Sequence, residues 1–204
     1  MSLQISALLE QVLQSPRRQA RRVVAIAGPP ASGKSTLAAG LVAALGGAGV
    51  HSQLVPMDGF HLDNRILSGR GILDRKGSPP SFDVMGLLRL VQVLGTSQEL
   101  YYPLFDRTRD LCVADAGHIA PECDTIVIEG NYLLMDAPIW CDMIEYWDLS
   151  VQLSCAEAEL EARLIQRWLD QGLTPEAARI RAHRNDLPNA RLVGQTVLRA
   201  DVVL

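Results

Sequence analysis

One octapeptide limits the folds open to this chain more than any other feature. Gly28-Pro29-Pro30-Ala31-Ser32-Gly33-Lys34-Ser35 fills every fixed position of the pattern G-x-x-x-x-G-K-[ST]. It follows Val23-Val24-Ala25-Ile26-Ala27, a short apolar run of the kind buried in a parallel sheet. It precedes Leu37 to Leu45, where helical character resumes. A strand, a glycine-rich turn and a helix in that order form a phosphate-binding loop. Glycines let the backbone curl so that several N–H groups point inward at an anion. The helix N-terminus adds positive potential at the same place. Gly28, Ala31, Ser32, Gly33, Lys34, Ser35 and Thr36 are therefore the candidate phosphate contacts. Lys34 is placed for the β- and γ-phosphates, and the Ser35 hydroxyl for Mg²⁺. The chain has only two lysines, Lys34 and Lys76, against 17 arginines. One of the two stands where a compact, flexible ammonium is needed.

The rest of the pattern fits the same architecture. Ile5, Leu8, Leu9, Val12 and Leu13 recur at helical spacing up to Ser15-Pro16. Gln53 to Pro56 reads as a second strand, so the first 56 residues run helix, strand, helix, strand. Residues 58–80 read as one long polar loop, uncommon in a compact domain unless functional. Asp83 caps a helix through Val84, Leu87, Leu88, Leu90 and Val91. Leu100 to Ala120 suggests short strands between turns, and Thr125 to Ile128 a buried strand. A further strand falls within Met143 to Leu153, followed by a helix over Ala156 to Asp170. Thr174-Pro175-Glu176 opens another helix, and Asp201 to Leu204 reads as a last strand. Strands alternating with helices predict an α/β fold with a mostly parallel sheet in three layers. One domain over 1–204 is expected.

Composition narrows the function. The formal charge is −4, which argues against a broad basic surface for nucleic acid. It averages unlike parts: residues 100–160 carry twelve acidic and two basic side chains, and the flanking segments are basic. No run approaches the roughly 18 apolar residues of a membrane span. Arginines follow the first apolar stretch instead of preceding it, unlike a signal peptide. Cys112, Cys123, Cys141 and Cys155 form no C-x₂-C pair, so zinc is not expected. A reduced, cytoplasmic protein is the expectation. The N-terminal helix could cap the sheet or pair with a second copy in a homodimer.

Two carboxylates belong with the loop. Glu129 ends the strand Ile126-Val127-Ile128, where α/β sheets place their ligands, and could hold the Mg²⁺ water shell. It could equally be an ordinary strand-end carboxylate. Asp58 follows the second strand, 24 residues after Lys34. A carboxylate there can accept the proton of an acceptor hydroxyl, although Asp58-Gly59 could also simply make a turn. Arg163 and Arg167, four apart, share a helix face and could close over transferring phosphate. The spacing also allows ion pairs with Glu159 or Glu161. A nucleotide switch or regulatory ATPase without a small acceptor remains an alternative at this level.

The segments GPPASGKST (28–36), MDGFH (57–61), RKGSPPSFD (75–83) and VIEGNYLL (127–134) occur in this order. With them the chain resembles the pantothenate kinase, uridine kinase and phosphoribulokinase group of P-loop kinases. Among these it is similar to short bacterial nucleoside kinase-like and fructokinase-type members. The resemblance implies a P-loop fold with a small helical lid, here near 157–186. It implies ATP and Mg²⁺ as cofactors and a small-molecule hydroxyl acceptor, with no nucleic acid or membrane partner. It makes Asp58 the catalytic base, aided by Lys34, Arg163 and Arg167, with Ser35 and Glu129 toward the metal. The acceptor falls on Asp58, His61, Asp106, Arg107 and Arg109. Uridine kinases have a histidine after their Tyr-Asp-Phe stretch; this chain has Phe105-Asp106-Arg107. Arg184 to Ala190 resembles a late Asn-Pro-Asn-containing segment of these kinases, near the nucleotide. Arg70, Arg75 and Lys76 could grip an anionic acceptor. Trp140, Trp147 and Trp168 read as core or lid packing.

Overall fold

A computed structural model describes residues 2–204. The chain runs α1 (Ser2–Gln14), β1 (Arg22–Ala27), α2 (Lys34–Gly47), β2 (Ser52–Pro56), α3 (Asn64–Gly69), α4 (Val84–Leu94), β3 (Leu100–Asp106), β4 (Leu111–Ile119), β5 (Thr125–Gly130), β6 (Leu149–Gln152), α5 (Glu157–Asp170), α6 (Pro175–Arg181), α7 (Leu187–Gln195) and β7 (Val202–Val203). Five strands form a parallel sheet in the order β2-β5-β1-β6-β7. β1 is apolar from Val23 onward because it has a strand on each side and a packed layer on each face.

Alternation along the strands divides the core in two. Val24, Ile26, Val127 and Val151 face α1 and α2, meeting Leu8, Val12, Leu37, Leu41 and Leu45. Val23, Ala25, Ile126 and Ile128 face the opposite layer, with Leu87, Val91 and Leu94 of α4 and the rings of Trp140 and Trp147. The molecule is thus a three-layer α/β fold, and α1 caps one face of the sheet. A third apolar cluster joins Leu160, Leu164, Ala182, Leu187 and Ala190 among the helices after β6. A π-helical turn over Ala182–Asp186 links α6 to α7 there.

Two regions differ from the sequence reading. Residues 58–80 are not one long loop. They hold a 3₁₀ turn at Met57–Phe60, the helix α3, and 3₁₀ turns at Leu73–Arg75 and Pro79–Ser81. Each is too short to show a period, although Asp63 caps α3 by accepting from the Arg65 N–H. A bridge between His61 and Phe82 closes the whole excursion at its base. The region after α4 forms strands where expected, but two longer ones joined by a single turn. β3 and β4 form one antiparallel hairpin of seven and nine residues, apart from the main sheet. Its register shifts between Tyr102 and Leu104, at Pro103, which has no N–H for the ladder.

Candidate active site

The phosphate loop starts where β1 leaves the sheet. Ala31 has φ 63° and Gly33 φ 94°. Gly33 is the N-cap of α2, and space around it is open. The glycine is therefore required by its left-handed backbone, not by crowding. Lys34 is buried and its Nζ donates to the Pro29 carbonyl at 3.4 Å. The Ser32 Oγ is buried and has no hydrogen-bond partner. An orphaned hydroxyl and a buried ammonium within a curled backbone fit a phosphate group.

Glu129 is the penultimate residue of β5, paired with Ile26 of β1. Its Oε1 accepts from the Ser35 Oγ at 3.1 Å. Burial pushes the Lys34 ammonium down from the usual lysine value, and the Glu129 and Asp58 carboxylates oppose that shift. Burial pushes the Glu129 carboxyl up, opposed by Lys34. Ser35 and Glu129 present hard oxygen donors of the kind Mg²⁺ takes.

Asp58 stands just after β2, on the other side of β5. Its Oδ2 accepts from Arg107 at 2.8 Å. The position of the turn is fixed by Gly59: a Cβ there would lie 1.9 Å from the Pro103 carbonyl oxygen. No other residue type fits between this turn and the hairpin without displacing one of them. The His61 Nδ1 lies 2.8 Å from the Asp58 carbonyl oxygen. Its ring packs on Phe82 and Phe105, with centroids 4.1 and 4.9 Å away. Burial pushes the His61 pKa below the usual histidine value, against the pull of Asp58.

These groups open on one cleft of about 1110 Å³. Ala31, Gly33, Lys34, Ser35 and Thr36 line it, with Asp58, His61, Arg107, Glu129 and Arg167. Gly28 and Ser32 belong to the loop but not to the wall. Arg163 also stands off the wall: it donates to the Ala31 carbonyl at 3.2 Å and pairs with Glu159 at 2.5 Å. Asp106 and Arg109 pair with each other at 2.7 Å, outside the cleft lining. Of the three hairpin residues expected at the acceptor, the structure brings Arg107 to the cleft.

The cleft wall also holds Trp168, expected as core or lid packing, Asp186 of the 184–190 segment, and Arg181, which the sequence did not single out. Trp168 donates to Asp186 at 2.6 Å, and the Arg181 guanidinium lies over its ring at 5.2 Å. The 73–77 segment is tied to the helices after β6. Arg181 donates to the Asp74 carbonyl at 2.8 Å, and Arg75 to the Arg184 carbonyl. The buried Asn185 donates to the Lys76 carbonyl at 2.8 Å. Arg75 is thus engaged with the chain itself. The sequence marks Arg75, Lys76 and the 184–190 segment separately, without any sign that they meet; within that segment Asn189 donates to the Asn185 Oδ1 at 3.4 Å. Trp140 and Trp147 are buried in the core as expected.

A strand-loop-helix phosphate cradle, a carboxylate beside its serine and a second carboxylate across the cleft define a P-loop kinase. The Phosphoribulokinase / Uridine kinase family model matches residues 23–178, and the chain belongs to that family. A Schizosaccharomyces pombe protein provisionally named uridine kinase is 32% identical, over 100% of this chain and 94% of its own length. A pantothenate kinase of Rhodococcus erythropolis is 35% identical over 76% of this chain and 50% of its own. The crystal structure of a Silicibacter protein provisionally named fructose transport system kinase superposes with a TM-score of 0.94. The two are 50% identical, and the match covers 98% of each chain. The protein is a phosphotransferase acting on a hydroxyl of a small molecule. No helix among the described residues is long and apolar enough to cross a membrane.

Proposed function

We propose that this protein transfers the γ-phosphate of ATP to a hydroxyl of a sugar such as fructose, a nucleoside or a pantothenate-like alcohol. The observation that carries this is the meeting of Lys34, the Ser35–Glu129 pair and Asp58 in one cleft, from three adjacent strand ends. The loop amides and Lys34 hold the triphosphate. Ser35 and Glu129 would hold Mg²⁺, which supplies charge neutralisation and orientation of the phosphates. The Asp58 Oδ2 is held by Arg107, and Oδ1 accepts from no described residue. Oδ1 therefore orients the acceptor hydroxyl and takes its proton as oxygen attacks the γ-phosphorus; the bond to the ADP oxygen breaks and ADP leaves. Positioning and charge stabilisation are the main contributions.

The helices over 157–186 act as a lid in this reading, and Arg167 on the cleft wall meets charge developing on the γ-oxygens. Arg163 acts through the loop carbonyl of Ala31. Four free thiols suit a reducing cytoplasm, and neither nucleic acid nor membrane enters the reaction. The test is ATP turnover with a metabolite panel. Turnover that requires an acceptor and releases a phosphorylated product supports the kinase. ATP hydrolysis at the same rate without any acceptor would sink it in favour of a nucleotide switch.

A further inference from the structure

The acceptor end of the cleft holds three polar side chains from three separate segments. The Lys76 Nζ donates to the Asn64 Oδ1 at 2.8 Å, to the Asp110 Oδ1 at 2.8 Å and to the Asp110 carbonyl at 2.9 Å. The Asn64 Nδ2 donates to the Asp110 Oδ2 at 2.8 Å. All three residues line the cleft that Asp58 also lines. Asp110 has φ 53° and closes the turn between β3 and β4, a left-handed position that aspartate takes readily.

The geometry points to Asn64, Lys76 and Asp110 as an acceptor subsite that reads neighbouring hydroxyls of an uncharged polyol. This rests on Asp58 being the group that meets the reacting hydroxyl. An ammonium has three N–H donors, and all three of Lys76 are taken. A phosphate or carboxylate on the acceptor would have to break the Lys76–Asp110 pair to be bound. Arg107 is likewise engaged by Asp58, so the four charges at this end cancel. A stacked nucleobase fares no better: Lys76 sits over the Phe105 ring at 5.0 Å, and His61 packs on the same ring. What is left suits hydroxyl groups, which donate and accept together. The Asp110 carboxylate has unused acceptor capacity, and the Asn64 amide has a second N–H. Leu73 and Phe82 on the cleft wall offer apolar surface for C–H faces.

The test is steady-state kinetics of the full chain with ATP and Mg²⁺ on three acceptor sets. These are fructose, ribose, glycerol and inositol; fructose 6-phosphate and gluconate; and uridine and pantothenate. At least one neutral polyol is expected to give a kcat/KM ten times that of any charged acceptor or nucleoside. Asp110→Asn, the same size but uncharged, should raise KM for that polyol at least tenfold and leave ATP affinity by calorimetry within twofold. It should also lower KM for fructose 6-phosphate, because the Lys76 ammonium is then unpaired. A residue that merely braces the fold would not swap specificity in this way. Lys76→Met gives the reverse arm, with the phosphate ester excluded further. Preference of the native enzyme for a charged acceptor or a nucleoside overturns the subsite and leaves the kinase standing. So does Asp110→Asn weakening all acceptors and ATP alike, or no neutral polyol being used. Full turnover of the preferred acceptor by Asp58→Asn would instead overturn the reading of the site itself.

Discussion

The two ends of the cleft are built in opposite ways. The phosphate end is contiguous: residues 28–36 leave one buried strand, turn through a left-handed glycine and enter one helix. Its charged groups are buried, and burial displaces the titration of Lys34 and Glu129. The end proposed for the acceptor is assembled from distant parts. Lys76 meets Asp110 across 34 positions and Asn185 across 109, and Arg75 meets Asn189 across 114. Its charges are partly exposed and mutually paired. A group that every donor nucleotide shares can be held by backbone amides. An acceptor that differs between kinases has to be read by side chains, and these come from wherever the fold can supply them.

The sharpest way to break that contrast is to compare one residue from each end. Lys34→Ala is expected to weaken ATP binding itself, read by calorimetry. Asp58→Asn is expected to lower turnover by about 10²–10⁴-fold, the range a positioned proton acceptor contributes, with ATP affinity unchanged within a few fold. If both variants lost ATP binding equally, the two ends would not be separable functions.

A smaller difference should separate the two arginines of α5. Arg167 lines the cleft, so Arg167→Ala should lower kcat by about 10²-fold, the lower end for loss of one charge-stabilising donor. Arg163 is spent on Glu159 and on the Ala31 carbonyl. Exposed pairs of this kind contribute less than about 1 kcal/mol, so Arg163→Ala should change kcat within about fivefold. Equal losses would mean that the helix turns on closing and brings both side chains to the phosphate.

The smallest effect is on stability against pH. His61 titrates below its ordinary value because it is buried. Below about pH 6.5, where free histidine takes up a proton, the unfolded chain therefore binds more protons than the folded one. Folding stability from this group is full above that pH and is lost as pH falls toward the folded value. His61→Gln should show a shallower drop in melting temperature between pH 7 and pH 5 than the native chain. A parallel drop would place the histidine in water, outside the aromatic contacts described for it.

The same contrast governs what could be read from the sequence. The phosphate loop, β1, Glu129 at the end of β5 and Asp58 after β2 were legible because each depends on a short run of neighbours. So were the caps: Asp83 accepts from the Gly86 N–H, and the Thr174 hydroxyl from the Ala177 N–H. The expectation that residues 58–80 form a single loop failed because turns of three to six residues carry no period. The length of the β3–β4 hairpin was missed because Pro103 and the Asp106–Asp110 turn look like breaks, and the strands continue through and beyond them. Lys76 was noticed as a cation, but its partner was invisible, since nothing local to Asp110 announces a contact 34 residues away.

The β3–β4 hairpin pairs with no strand of the parallel sheet, yet it delivers Arg107 to Asp58 and leads into the turn that carries Asp110. Under the proposed function it is an exchangeable tool head. Transplanting a relative's hairpin should re-aim the enzyme at another alcohol without rebuilding the motor that handles the nucleotide. The one fitting that any graft must respect is the socket at Gly59, where the carbonyl of residue 103 seats against bare backbone.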